Sequence, residues 1–224
     1  MKKLNVFTLA AVTLFLTACG GKSTETTTTE EQAVAEKQGE AFTVTLETSK
    51  VDWKAFHKGG FAPRWGTLNL KSGEVSVANG ELTAGDFVID MLSLKADPAS
   101  VTEKDKKAAD LEAHLKNADF FDVEKNPTAD FKITNVANLE TAGSDAVAGA
   151  NKTISGNLTL KGKSVNVTFP AKVTVADGTA SIQAKFTVNR ADWGIQFGTS
   201  ETDPAEWMIS KDIEIGIDVK AAKK

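Results

Sequence analysis

Apolar residues alternate with polar ones along most of the chain beyond residue 41, and this period of two constrains the fold more than any other feature of the sequence. The alternation is clearest in three runs, Val165–Val175, Ile182–Val188 and Ile213–Val219. Because successive side chains of a β-strand point to opposite faces of the sheet, each run predicts a strand with one buried face. Asn79-Gly80 and Asp177-Gly178 separate such runs and favour tight hairpin turns.

The predicted strands outnumber every other element, which indicates an all-β fold. Eight or nine alternating runs lie between Phe42 and Val219. Antiparallel strands that are joined by short turns either close into a barrel or stack as a sandwich. An eight-stranded barrel has the size that holds one small apolar ligand.

One segment departs from the alternation and predicts a single amphipathic helix over residues 102–118. Ser100 and Glu103 have the spacing of a capping box, and apolar residues between Ala108 and Ala118 recur at helical spacing. The apolar stripe of this helix needs a partner surface, most simply the mouth or the flank of a barrel.

The N-terminus looks like a bacterial lipoprotein signal. Lys2 and Lys3 precede an apolar run that is too short for a stable membrane span, and the run ends in Leu16-Thr17-Ala18-Cys19. In such signals the chain is cut before the cysteine, which carries diacylglycerol. We therefore predict a signal peptide at residues 1–18 and lipidation at Cys19. The alternatives are an ordinary secretory signal with an incidental cysteine and an uncleaved N-terminal anchor.

Residues 19–41 are predicted to form a flexible acylated tether, because they contain few large apolar residues. Residues 42–224 are enough for one domain with a sizeable core. We expect the protein to be lipid-anchored in the bacterial cell envelope, facing the periplasm or exposed on the surface, with the membrane as a partner through its acylated N-terminus.

Composition excludes several classes of function. Removal of residues 1–18 changes the formal charge from −4 to −6, which argues against nucleic acid as a partner. Cys19 is the only cysteine, so its acylation leaves no thiol for a disulfide or a nucleophile. The chain has two arginines, two histidines and no tyrosine, a small set of residues for acid–base catalysis.

Four motifs in order and register identify the chain as resembling the lipid/polyisoprenoid-binding YceI-like family. The central motif is HLKNADFFDVEKNPTADFKI, from His114 to Ile133. The others are VDWKAFHKGGFAPRWGTLNL, GNLTLKGKSVNVTFP and FTVNRADWGI. The resemblance covers about residues 42–220 and implies a lipocalin-like antiparallel β-barrel with a helix near its open end. It also implies an interior that binds a long isoprenoid or another lipid.

Two loops depart from the family pattern. The stretch Lys58–Trp65 replaces a simpler histidine–glycine–phenylalanine segment, and residues 196–210 have a length that does not match. We expect the first of these loops to reshape the mouth of the barrel.

Aromatic and aliphatic residues on the inward phase are the candidate ligand contacts, and His57 is the candidate polar contact to a headgroup. The alternative for each apolar residue is a filled core, and for His57 a histidine satisfied by a backbone carbonyl. No spacing pairs His57 with His114, so no metal site is predicted. For Arg190 we expect a turn-stabilising role or a local ion pair with Asp192. The predicted ligand-binding set is Trp53, His57, Phe61, Phe87, Phe120, Phe121, Phe131, Leu158, Phe186 and Trp193.

The sequence therefore predicts a lipoprotein that binds or carries an elongated apolar lipid of polyisoprenoid or quinone type, without catalysis and without a cofactor other than that lipid. A second hypothesis is a structural or interaction lipoprotein with a filled barrel. A third, an enzyme acting on a lipid, is disfavoured because no nucleophile–base pair is visible. The lipid's identity and the oligomeric state stay open.

Overall fold

The computed structural model describes residues 26–202, 204 and 207–224. The predicted signal peptide, Cys19 and residues 19–25 of the predicted tether lie outside the described residues. Ten antiparallel β-strands and one α-helix make up the described part, together with three short 3-10 helices. The elements are β1 (Thr27–Thr29), β2 (Glu40–Val44), β3 (Lys50–His57), β4 (Arg64–Ala78), β5 (Glu81–Ala96), α1 (Ala108–Lys116), β6 (Thr128–Asn138), β7 (Lys152–Leu160), β8 (Lys163–Ala176), β9 (Thr179–Asn189) and β10 (Ile209–Lys223).

The sheet closes into a barrel with eight strand positions. From β4 to β10 each strand pairs with its neighbours in sequence, and β2 and β3 together fill the position between β4 and β10. The predicted all-β, lipocalin-like barrel of about eight strands with one helix is therefore confirmed. Asn79 and Gly80 form the β4–β5 turn with φ of 52° and 78°, the left-handed geometry that a type I′ turn requires.

The helix is shorter than the predicted range of 102–118. Ser100 does not cap it, because its hydroxyl donates to the carbonyl of Asp97 at 2.8 Å and its side chain is buried in a 3-10 turn. The helix starts instead where the Asp110 carboxylate accepts the backbone N–H of Lys107 at 3.1 Å. Glu112 fixes α1 to the end of β5 by accepting the backbone N–H of Ala96 at 3.1 Å.

The apolar side of α1 packs on the barrel at the end where β5 finishes. Ala108, Leu111 and Leu115 pack against the buried core. This position confirms a helix at one end of the barrel, which we call the mouth. Within the described part of the chain, no helix has the length and apolarity needed to cross a membrane.

The predicted tether was too long, because residues 26–39 lie along the outer face of the barrel. We call these residues the strap. Thr27–Thr29 pair with Asn166–Thr168 of β8, beyond Ala171, where the pairing of β8 with β9 ends. Further along the strap, the backbone N–H of Ala35 donates to the carbonyl of Ile133 at 3.0 Å.

Two outward-facing asparagines hold the strap on the barrel. The Asn157 side chain accepts the backbone N–H of Gln32 at 3.0 Å and donates to the Gln32 carbonyl at 2.7 Å. Asn166 supports this contact by donating to the Asn157 side chain at 2.9 Å. Both asparagines are buried, although they point away from the interior. Sequence composition cannot predict such a segment, because polar hydrogen bonds rather than apolar burial fix it.

Ion pairs hold the end of the strap. The Lys37 ammonium lies 2.7 Å from Asp86 of β5 and 3.3 Å from Glu74 of β4. The hydrogen bond to Asp86 is the main cause that raises the pKa of Lys37. Because both partners are partly exposed, we expect this pair to contribute little to stability.

Asn157→Ala should lower the free energy of unfolding by about 1–3 kcal/mol, because it leaves the Gln32 backbone N–H and carbonyl without their side-chain partner and removes one of the two acceptors of the Asn166 amide. Asn135→Ala is the matched control, since Asn135 is an exposed residue of β6 and its replacement should change stability by less than about 0.5 kcal/mol. Urea unfolding measures both values. Equal stability of the two variants would show that the strap contact contributes nothing.

Candidate functional site

A cavity of about 580 Å³ extends from the mouth into the barrel as far as Ile182 and Val219. Its walls come from the inward-facing side chains of β3 to β10, and its opening lies beside α1. This volume falls within the range of sites that bind small molecules. Sequence alternation leads to such a cavity only because the sheet closes, which directs one face of every strand to the same interior.

Four phenylalanines from different strands form one wall of the cavity. Ring centroids lie 6.2 Å apart between Phe87 and Phe131, 5.8 Å between Phe131 and Phe169, and 4.0 Å between Phe169 and Phe186. Gly156 makes room for this wall, because a Cβ atom there would lie 2.3 Å from the ring of Phe131. The wall is therefore packed on its outer side and apolar on the side that faces the cavity.

An aliphatic wall adjoins the phenylalanine wall, because Ile215 of β10 pairs with Phe186 of β9. Ile213, Ile215 and Ile217 of β10 line the cavity beside Trp53 of β3. These isoleucines are only half-buried although they point inward. Since they also alternate with outward-facing polar residues, their exposed surface faces the cavity. The cavity therefore contains apolar surface that no side chain of the described chain covers.

The end of the barrel away from α1 is filled. Phe42, Val75, Leu82 and Val173 are buried core residues and do not line the cavity. Ala184 of β9 is likewise buried at 2% exposure and lies outside the lining. The cavity is consequently a pocket with one opening rather than a channel through the barrel.

Polar groups of the lining are concentrated at the mouth. The deep part is lined by apolar residues, whereas the ionisable residues of the lining come from the mouth loops, from α1 and from the strand ends beside them. Arg64 donates to the carbonyl of Ser100 at 2.7 Å and pairs with Glu103. The ionisable lining residues are His57, Arg64, Glu103, Lys106, Lys107, Asp110, His114 and Arg190.

Arg190 is a buried cation that holds the loop after β9 in place. Its side chain is 2% exposed and donates to four backbone carbonyls, those of Ser210, Ile195, Phe197 and Ile209, at 2.7 to 3.2 Å. Burial lowers the pKa of the Arg190 guanidinium. Its guanidinium carbon also lies 5.6 Å from the ring of Phe120.

The Arg190 contacts identify its role as turn-stabilising. The alternative, an ion pair with Asp192, does not occur among the ion pairs of the described residues. Carbonyl groups rather than a carboxylate therefore satisfy this cation. The loop that borders the mouth depends on it.

Eight of the ten predicted ligand-binding residues line the cavity: Trp53, His57, Phe87, Phe120, Phe121, Phe131, Leu158 and Phe186. The structure places the other two elsewhere. Phe61 is 51% exposed on the β3–β4 loop, because the extra residues after His57 carry it outward. Trp193 is buried, and its indole N–H donates to the carbonyl of Leu158 at 2.8 Å. Ligand contact stays a prediction for the eight lining residues.

Phe120 and Phe121 both border the cavity, although they are adjacent in the chain. They lie in the turn after α1, where the backbone is neither helix nor strand. The Phe120 ring is buried and lies 5.0 Å from the ring of His114. His114 also lies at the mouth, where it lines the cavity.

Sequence reasoning missed the isoleucines of β10 and Phe169 of β8 as cavity residues. The signal was present, since all of them occupy inward phases of strongly alternating strands. Which inward residues pack and which face open space depends on the volume that the closed barrel leaves. One-dimensional periodicity does not encode that volume.

Comparison with known proteins supports this architecture. Residues 42–221 match the family model described as the YceI-like domain. A UPF0312 protein of Pseudomonas aeruginosa is 31% identical over 151 residues, which cover 62% of this chain and 70% of that protein. A UPF0312 protein of Pectobacterium atrosepticum is 30% identical over 151 residues, with the same coverage.

Two solved structures share the fold. The crystal structure of Burkholderia cenocepacia BcnA has a TM-score of 0.57 and 21% identity. The superposition covers 80% of this chain and 99% of the BcnA chain. A polyisoprenoid binding domain from Saccharophagus degradans has a TM-score of 0.56 and 13% identity. The superposition covers 83% of this chain and 99% of the chain of that domain. At these identities the likeness establishes the barrel with its helix.

Arg190→Lys should lower the free energy of unfolding by at least about 2 kcal/mol, because a lysine cannot reach four carbonyls from one buried position. Arg64→Lys is the matched control, since Arg64 is the only other arginine and its lysine variant keeps a cation near the exposed Glu103. We expect Arg64→Lys to lower the free energy of unfolding by less than about 1 kcal/mol. Chemical denaturation measures both, and equal costs would contradict the role assigned to Arg190.

Proposed function

The chain belongs to the YceI-like domain family, and from this membership together with the cavity we propose that the protein binds an elongated apolar lipid inside its barrel. The observation that carries the proposal is the shape of the cavity, which is apolar in its depth, closed at one end and polar only at the mouth. An isoprenoid chain fits this distribution, with its tail in the depth and its headgroup at the opening. We propose a polyisoprenoid or a quinone-type lipid as the ligand.

Burial of the lipid tail would supply most of the affinity. Each methylene that moves from water into an apolar interior contributes about 0.8 kcal/mol. The half-buried isoleucines of β10 would add to this free energy, since a bound tail would cover their exposed apolar surface. The solved domain from Saccharophagus degradans, which is named for polyisoprenoid binding and shares this fold, supports the same class of ligand.

Polar residues at the mouth would select the headgroup. His57 and His114 both line the opening, where a few polar groups suffice to orient an otherwise apolar ligand. Within the described residues, no cluster of three or more histidine, cysteine or acidic side chains could hold a metal ion. We propose binding without catalysis, and no cofactor other than the lipid.

A membrane tether completes the proposal. The run Leu16-Thr17-Ala18-Cys19 supports acylation at Cys19, and the acyl chains would keep the barrel beside the membrane that supplies its ligand. We propose that the mature protein resides in the bacterial cell envelope. The strap begins at residue 26, so a short segment would join the lipidated cysteine to the barrel.

Ala55→Phe should abolish co-purification of lipid while it leaves the barrel folded. Ala55 lies on β3 opposite Ile213 and lines the cavity, so a phenyl ring there would occupy the space of the tail. Since the ring enters open space, the free energy of unfolding should fall by less than about 1 kcal/mol, below the 1–3 kcal/mol typical of overpacked cores. Solvent extraction and mass spectrometry measure the lipid per protein.

Ala137→Phe is the matched control for this variant, because Ala137 is exposed on the outer face of β6. It should retain its lipid. If Ala55→Phe loses stability as a filled core would, and the wild-type protein holds no lipid, the structural-lipoprotein hypothesis replaces the binding hypothesis.

Cys19→Ser should release the protein from membranes without unfolding the barrel, since the acyl chains would be its anchor. Fractionation of cells followed by a salt wash measures the released share. Quantitative sedimentation of the variant with membranes after the wash would contradict acylation as the anchor.

A further inference from the structure

Three exposed aromatic side chains lie on the two loops at the mouth, between β3 and β4 and before β10. Phe61, Phe197 and Trp207 are 51%, 41% and 69% exposed. We call these three residues the aromatic rim. Exposed aromatics that stand together around a cavity opening indicate an interaction surface, whereas single exposed apolar residues need no explanation.

Backbone hydrogen bonds bring the rim residues together. The N–H of Lys58 donates to the carbonyl of Met208 at 2.8 Å, which joins the loop of Phe61 to that of Trp207. The N–H of Ile209 donates to the carbonyl of Gly198 at 2.8 Å, which places Phe197 on the same side.

Phe197 also touches the lining of the cavity directly. Its ring centroid lies 4.9 Å from that of His114 and 5.2 Å from that of Phe120, and both of these residues line the cavity. The aromatic rim is therefore continuous with the opening through which a ligand would enter.

Exposed lysines border part of the rim. Residues 58–64 and 103–110 of the mouth carry five cationic and three acidic side chains, whereas residues 196–210, which include Phe197 and Trp207, carry three acidic side chains and no cationic one. Lys58, Lys106 and Lys107 are exposed, whereas Glu103 pairs with Arg64. Exposed lysines beside tryptophan and phenylalanine are typical of surfaces that lie in the headgroup region of a membrane.

We propose that the aromatic rim docks the barrel mouth-down on the surface of a phospholipid bilayer. The proposal rests on the lipid-binding function and adds the route by which the ligand enters. An apolar tail that crossed bulk water would expose every methylene on the way, so direct contact between the opening and the bilayer removes this cost. Rim aromatics would lie among the headgroups, and the lysines would face anionic phosphates.

The test uses the mature chain from residue 19 with Cys19→Ser, so that neither the signal peptide nor an acyl chain contributes to membrane binding. Phe61→Ser combined with Trp207→Ser removes two rim residues, and Leu46→Ser is the matched control because Leu46 is an exposed apolar residue at the β2–β3 junction, away from the mouth. Co-sedimentation with vesicles of phosphatidylcholine and phosphatidylglycerol measures affinity. We expect the double variant to bind about tenfold more weakly or worse, and the control to stay within about twofold of its parent.

A second readout does not depend on how well the double variant folds. Of the other three tryptophans, Trp53 and Trp193 are buried and Trp65 is half-buried, so we expect brominated lipids in the vesicle to quench Trp207 more than any of them. Trp207→Phe should keep vesicle binding and lose most of the quenching. Unquenched Trp207 in vesicle-bound protein would overturn the proposal. So would rim variants that change self-association in sedimentation velocity but not vesicle binding, because the rim would then contact a second protein chain.

The cavity variant separates this proposal from the lipid-binding function. Ala55→Phe in the same background should still bind vesicles through its rim, although its cavity would hold no lipid. If the protein with the wild-type cavity binds vesicles but holds no lipid, the result would support the rim proposal and contradict the lipid-binding function. Lipid in the cavity together with no rim-dependent vesicle binding would overturn the rim proposal alone.

Discussion

The pairing of β9 with both of its neighbours is the interaction on which the rest of the structure depends. β9 pairs with β10 along its whole length but with β8 only as far as Ala184. Closure at this strand turns a meander into a barrel, which directs the inward phase of every strand to one interior. Beyond Ala184 the edge of β8 is free of β9, and the strap pairs with it instead at Thr27–Thr29. The strap therefore covers the barrel wall at the mouth end, where the cavity lies.

The side chains of the interior change from packed to open and then to ionisable along the barrel axis. We therefore expect one part of the cavity to supply affinity for the lipid and another part to select its headgroup. Packed side chains such as Phe42 and Val173 fill the far end, the middle is apolar and open, and ionisable groups stand only at the mouth. An apolar tail would gain affinity in the middle without any directional contact. Discrimination between headgroups would depend on the mouth, whose bordering loop is fixed by the four carbonyl contacts of Arg190.

Alternation in the sequence predicted the strands, the hairpins and most of the cavity lining, because strand geometry maps directly onto a period of two. Prediction from alternation failed where hydrogen bonds or loop length determine the position of a segment. The strap has few apolar residues and is held by the amides of Asn157 and Asn166, so composition indicated a flexible tether. The helix began later than predicted because Ser100 turned inward to bond Asp97. Phe61 was assigned to the interior, but the longer loop after His57 carries it to the outer surface.

The central claim is that the open, apolar half of the barrel holds a lipid, and native mass spectrometry of the wild-type protein tests it most directly. The protein is purified without added lipid and measured both intact and after unfolding in organic solvent. The account predicts a mass excess in the folded protein that unfolding releases and that fragments as an isoprenoid-type lipid. A folded protein that shows only the mass of its processed polypeptide, before and after incubation with such lipids, would contradict it.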